Sequence, residues 1–414
     1  MLLLPLCVEE KGVTLGIDVF VEKNLDLVKG KRVGLITNPT GVNTDLENTI
    51  DILRNNGVNI VALYGPEHGV RGNAQAGEYV AFYWDEKYSL PVFSLYGQSM
   101  EVPKDMLSNI DSYMKEFDTK HEGKLPEKDM VKGIDVMLFD IQDVGTRVYT
   151  YIATMAYAMR SCAELGIDFI VLDRPNPISG ATEGPVLEYP EYSSFVGLYA
   201  IPMRHGMTAG ELAKLFNDRF FEKRVNLTVI PVEGWKRDMW YDETGLPWVI
   251  PSPNMPTTDT ATVYPGQVLI EGTSVSEGRG TTKPFELFGA PWIDGYALAK
   301  ELNELELPGV KFREAWFTPT FSKYKNEMCG GVQIHITDRK EYKPFETALY
   351  TIETIKRLYP ANFTFDVHYF DRLAGNSWIR ESLEQGLPVS QIIERYEGDL
   401  EAFKNMSREY LIYD

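Results

Sequence analysis

The chain has 414 residues, of which 44% are hydrophobic and 12% aromatic, enough to fill a real core and too many for wholesale disorder. That length predicts two units, or one large domain with an appendage. A net charge of −19 excludes a nucleic-acid or anionic-membrane surface as the main business of the protein, and no run approaches the ~18 apolar residues of a membrane span.

Cys7, Cys162 and Cys329 form neither a disulfide framework nor a zinc spacing. The opening MLLLPLCV is apolar but lacks a basic n-region, and LPLC is a poor lipoprotein cleavage site, so it leaves the compartment open.

In chain order, RVGLITN (32–38) reads as a strand. Thr44 and Glu47 then have capping-box spacing ahead of a helical face of Leu46, Ile50 and Leu53. VNIVALY (58–64) and LPVFSLYG (90–97) are further strands, and IDVMLFD (134–140) and IDFIVLD (167–173) are buried ones. Between the last two, Val148, Ile152, Met155, Met159 and Cys162 mark the packed stripe of a helix. A second capping box, Thr208 to Glu211, opens ELAKLFNDRF, and VNLTVIPVEG (225–234) returns to the sheet.

Strands alternating with helices predict an α/β fold: a Rossmann-like, doubly wound parallel sheet flanked by helices. Four prolines between 251 and 265 break the pattern. A helix near 295–303, an alternating strand VQIHI (332–336) and a helix from Pro344 to Leu358 follow, with helices again from Ser377. The division expected is a catalytic domain at 13–290 and a smaller C-terminal α+β subdomain at 291–414.

Ligands of open parallel sheets bind where the carboxyl ends of the strands converge. Here those ends are unusually polar: Asn38-Pro39-Thr40, then GPEHGVRG (65–72) with Glu67, His68 and Arg71, then Tyr96 to Ser99. DIQDVGTR contributes Asp140, Gln142, Asp143 and Arg147, and DRPNP contributes Asp173, Arg174 and Asn176. Five polar ends on one rim point to an active site, although Asp143 and Asp173 equally suit helix capping and Asn176 a turn.

No GxGxxG or GxxxxGK[ST] follows the first strand, so a nucleotide cofactor is not expected. Glu67 and His68 are adjacent and poorly placed to share an ion, no HExxH occurs, and no metal is expected. His121 lies in a charged insertion and His335 alternates with apolar residues on a strand. The absence of GxSxG argues against a serine nucleophile. What remains is carboxylate chemistry. Partial desolvation in a tight turn favours a neutral carboxyl able to donate a proton, as a glycosidase acid does, and Glu67 is one candidate for it.

GPEHGVRG, DIQDVGTRVYTYI, DRPNPISG, GPVLE, IPMRHGMTAGELA, SPNMPT and EGTSVSEGRGT, in that order between Gly16 and Trp378, resemble the motif set of the DUF1343 family. That family is similar to the NamZ-type exo-β-N-acetylmuramidases of glycoside hydrolase family 171. The resemblance implies a cleft between a Rossmann-like domain and a smaller subdomain, removal of terminal N-acetylmuramic acid from the non-reducing end of peptidoglycan fragments, and Glu67 as the catalytic glutamate. It also implies export, against an N-terminus without a complete signal, which leaves a cytoplasmic home open.

Under that resemblance, the lactyl carboxylate of the substrate calls for guanidinium partners in an acidic protein. Arg71, Arg147, Arg204 and Arg279 are candidates, with Arg71 and Arg279 placed first, and Arg204-His205 precedes a helix N-terminus. Asp140, Asp143 and Glu277 compete for the second catalytic group, and Tyr149 and His68 are candidates to orient Glu67. A nucleophilic acetamido group of the substrate stays open, and so does stereochemistry. Tyr96, Tyr149, Tyr151, Trp248 and Trp292 are candidates for a sugar platform, set against ordinary packing. The alternatives are a non-catalytic saccharide-binding protein and a metal-dependent hydrolase.

Overall fold

A computed structural model describes residues 12–96 and 133–414; Cys7, Gln98, Ser99 and His121 lie outside them. Along the chain come α1 (Gly16–Lys23), β1 (Val33–Thr37), α2 (Thr49–Asn55), β2 (Ile60–Gly65), β3 (Tyr83–Asp85), β4 (Leu90–Ser94) and β5 (Val136–Asp140). Then come α3 (Tyr151–Leu165), β6 (Asp168–Leu172), β7 (Glu183–Val186), β8 (Pro202–Arg204), α4 (Ala209–Arg219) and β9 (Leu227–Ile230).

Seven of these strands form one sheet in the order β3-β4-β2-β1-β5-β6-β9, parallel throughout except for the antiparallel edge strand β3. From β1 the chain winds outward to β2 and β4, then returns to β5 and winds the other way. The sheet is therefore doubly wound, as the alternating pattern predicts, with its switch point between β1 and β5. Strands β1, β2 and β5 are buried along their whole length, which is why they read as unbroken apolar runs. Alternate side chains feed two cores: Leu35 and Leu138 face one with α1 and α2, while Ile36 and Phe139 face the other with α3 and α4.

Helix α2 departs from expectation. It starts at Thr49, and its cap is Asn48, whose side chain accepts from the Ile50 amide at 2.8 Å. The amides of Asp45 and Glu47 are instead taken by the side chain of Asn43, closing a turn that leaves Leu46 exposed with φ of 63°. A local side-chain acceptor thus outcompetes the first helical turn expected at Thr44. The Thr208–Glu211 capping box at the start of α4 is present as expected.

The second unit comprises α5 (Thr258–Gln267), β10 (Leu287–Ala290), α6 (Gly295–Glu304), β11 (Val310–Phe317), β12 (Cys329–Ile336) and α7 (Pro344–Leu358). Its sheet reaches back before the expected boundary at 291, because β10 pairs with β12. Helices α8 (Val367–Ala374), α9 (Trp378–Gln385) and α10 (Val389–Ser407) complete it. Its antiparallel sheet runs β10-β12-β11. Met155 of α3, Leu269, Phe288 of β10 and Phe345 and Ile352 of α7 belong to one continuous core, so the two units share an interior. Among the described residues no helix is long and apolar enough to cross a membrane.

Candidate active site

The turn after β2 is tight enough to exclude a side chain at Gly65, where a Cβ would come within 2.8 Å of the Val70 amide. His68 at φ of 71° and Gly69 at 76° carry the reversal. This backbone delivers Glu67, only 9% exposed, into the wall of a cleft. Both its oxygens are held: Oε2 accepts from the Thr150 hydroxyl at 2.8 Å, and Oε1 from the Gly77 amide at 3.0 Å. His68 Nδ1 lies 2.7 Å from the Ala74 carbonyl, so this nitrogen carries a hydrogen.

Tyr149 lines the same cleft, in the segment leading into α3. Its hydroxyl sits near Ser252 and Tyr151 without a hydrogen bond of good geometry, and burial pushes its ionisation well above the ordinary phenol range. It is a neutral donor awaiting an acceptor.

The segment after α5 supplies another part of the lining. Glu271 Oε1 accepts from Arg279 Nη2 at 2.6 Å and Nε at 3.2 Å, and Oε2 accepts from the Tyr369 hydroxyl at 2.7 Å. Burial works against the Arg279 charge, but Glu271 and Glu277 more than offset it, and the guanidinium lies 5.0 Å over the Phe285 ring. Glu277 itself stands one layer back, 3.5 Å from Arg279 Nε and 3.3 Å from Lys323 Nζ, and is not among the lining residues. Glu271 was missed by the sequence reading, although it opens the motif EGTSVSEGRGT; its neighbour in SEGRG drew attention first.

Most of the other predicted site residues are elsewhere. Arg71 is 63% exposed and paired with Asp85 at 2.7 Å, away from the lining. Arg147 is buried and donates to the carbonyls of Pro185, Ile201, Leu373 and Ala374, so it ties backbone together; burial lowers its pKa to about 9. Arg204 donates to Ile178 O and Ser179 Oγ and stacks 5.3 Å over Trp240. Asp140 is wholly buried, bonded to Arg174 Nε at 2.6 Å and to the Thr49 hydroxyl. Gln142 donates to the Asp143 and Pro175 carbonyls, and Asn176 bridges the Ile178 amide and Met207 carbonyl.

Asp143 Oδ2 accepts from the Gly145 amide at 2.7 Å and faces His205 Nε2 at 3.2 Å. Because the Met207 amide donates to His205 Nδ1, the ring hydrogen is on Nε2 and points at Asp143. This pair lies behind the lining, near enough for Asp143 to act on the Tyr151 and Tyr264 phenols. Asp173 caps α4 through Thr208 and Gly210, with burial raising its pKa to about 6. Among the platform candidates, Trp248 packs edge-on against Tyr241 and Trp292 against Tyr359. Tyr96 sits beside the site, its phenol pushed up by burial and then by Glu67.

Among the described residues no group of three or more His, Cys, Asp or Glu side chains is placed to hold a metal ion.

A family model described as exo-beta-N-acetylmuramidase NamZ, N-terminal, matches residues 33–118 and 114–259, and its C-terminal counterpart matches 262–413. The chain belongs to the NamZ family of exo-β-N-acetylmuramidases, and so to the glycoside hydrolases. Within this family it is 53% identical, over 96% of its length and 91% of the relative's, to the peptidoglycan beta-N-acetylmuramidase NamZ of Bacillus subtilis. Two crystal structures of DUF1343 family proteins from Bacteroides fragilis share the fold. One is 40% identical with a TM-score of 0.85, the other 30% identical with a TM-score of 0.74, each spanning 97% of this chain and 99% of its own. The cleft thus sits in the NamZ fold, with Glu67 in a segment matched by the N-terminal model and Glu271 in one matched by the C-terminal model.

Proposed function

We propose that this enzyme removes a terminal N-acetylmuramic acid from the non-reducing end of peptidoglycan fragments, with Glu67 as general acid. The observation that carries the assignment is the fixing of both Glu67 oxygens, by Thr150 and by the Gly77 amide, at the wall of the cleft. Catalytic groups act when their geometry is set before the substrate arrives.

In the reaction the Glu67 proton passes to the glycosidic oxygen as the C1–O bond breaks, and the bonding pair leaves with that oxygen. Water then adds at C1, and the proton it sheds restores the acid. Tyr149 and His68 line the space that the sugar would occupy. Of the two arginines placed first from sequence, only Arg279 lines the cleft, so it is the guanidinium proposed to meet the lactyl carboxylate. Because the substrate is wall material, the same reading puts the enzyme outside the cytoplasm, which fractionation of the producing cells would test.

The experiment is Glu67→Gln assayed on a muramic-acid disaccharide, beside wild type on a chromogenic β-N-acetylmuramide and the matching glucosaminide. The reading expects loss of muramic acid release at an unchanged unfolding midpoint, and cleavage of the muramide alone. Near-normal turnover by Glu67→Gln would sink the assignment of the acid; equal cleavage of the glucosaminide would sink the role of the lactyl group.

A further inference from the structure

We infer that Glu271 is the second carboxylate of the reaction, the group that offsets the positive charge developing at the anomeric carbon as the glycosidic bond breaks. The inference rests on Glu67 being the acid and adds its partner.

Most glycosidase clefts set two carboxyl groups on either side of the bond, one to give the proton and one to face the sugar carbon. Among the described lining residues only Glu67 and Glu271 carry carboxylates. They arrive from different elements, Glu67 from the turn after β2 and Glu271 from the helical turn after α5. Tyr264 lines the same cleft as both carboxylates.

The competing acids do not line the cleft. Asp140 is bonded to Arg174, Asp143 engages Gly145 and His205 through Oδ2 alone, and Glu277 stands behind Arg279 beside Lys323. Glu271 is held by donors on both oxygens, a guanidinium on Oε1 and a phenol on Oε2, which fix the carboxylate. A charge so oriented costs no reorganisation when positive charge appears in front of it. In the step itself the Glu67 proton goes to the leaving oxygen with the C1–O electron pair. The charge left on C1 and the ring oxygen faces Glu271 until water adds.

The test uses the full chain with Glu271→Ala, Glu271→Gln and Glu67→Gln, on a muramic-acid disaccharide and on a dinitrophenyl muramide, whose leaving group needs no protonation. Loss of Glu271 should lower turnover on both substrates by roughly a hundredfold to a thousandfold. Azide should restore the Ala variant on the aryl substrate and yield the glycosyl azide, because a small anion can enter the vacated space. Loss of Glu67 should spare the aryl substrate relative to the disaccharide. Turnover of both Glu271 variants within about threefold of wild type, on a scale where a lost charge costs a hundredfold, would overturn the inference. So would failure of azide to rescue an Ala variant that keeps the wild-type unfolding midpoint. If instead Glu67→Gln loses both substrates equally, the acid assignment fails while the azide result still judges Glu271.

Discussion

Thr150 donates its hydroxyl hydrogen to Oε2 of Glu67 across 2.8 Å, joining the residue that caps α3 to the turn after β2. The carboxylate is therefore aimed by a helix 83 residues further along the chain.

Thr150→Val keeps the shape and deletes the donor. A hydrogen bond to the neutral acid contributes about 0.5–1.5 kcal/mol, so kcat should fall roughly twofold to tenfold. KM and the unfolding midpoint should move little, and Thr150→Ser should recover most of the rate. Steady-state kinetics on the three proteins checks this.

Arg71 and Arg279 come from motifs of similar composition but should respond differently. Arg71→Ala removes an exposed partner of Asp85, a pair expected to contribute no more than about 1 kcal/mol, and should leave kcat/KM within about threefold. Arg279→Ala strips Glu271 of its cation inside the cleft and should cost about a hundredfold or more. Equal losses in the two variants would contradict this placement.

Arg147→Met should destabilise the fold by about 3 kcal/mol or more, since four buried carbonyls lose their donor. The folded fraction should bind substrate with an unchanged KM, because the guanidinium touches only backbone. Denaturant unfolding and kinetics on the same preparation separate the two effects.

Glu183 is buried, accepts from the Phe345 and Glu346 amides at the start of α7, and has its pKa raised from 4.5 to about 7, chiefly by burial. A carboxyl with a raised folded pKa contributes its full stability below pH 4.5 and loses it as pH rises through 7. The slope is about 1.4 kcal/mol per pH unit in that window, of order 3 kcal/mol in all. Glu183→Gln should match wild type at pH 4 and exceed it at pH 8, with a flatter stability profile between, as urea titrations at each pH would show.

The sheet was legible because parallel strands buried on both faces write themselves as apolar runs, and IDVMLFD and IDFIVLD are such runs. The α4 cap was legible because Thr208 and Glu211 do their work within four residues. The start of α2 was not, since Asn43 offers the same amides a competing acceptor that the Thr44–Glu47 spacing does not reveal. Glu67 stood out through its turn. Arg147 and Arg204 were misread because composition marks a guanidinium without saying whether carbonyls or a ligand will meet it. Glu271 escaped because its significance depends on Arg279 and Tyr369, the latter 98 residues away.

The bonds of Arg147 to Leu373 and Ala374 span 226 and 227 residues. At roughly 5–20 residues per second, synthesis delivers the guanidinium some ten to fifty seconds before those carbonyls exist. During that interval the emerging first unit carries a cation with only the Pro185 and Ile201 carbonyls of its four partners in place. Its Nη2 bonds close only when the later half of the polypeptide arrives. Cotranslational maturation of this enzyme therefore waits on its second unit.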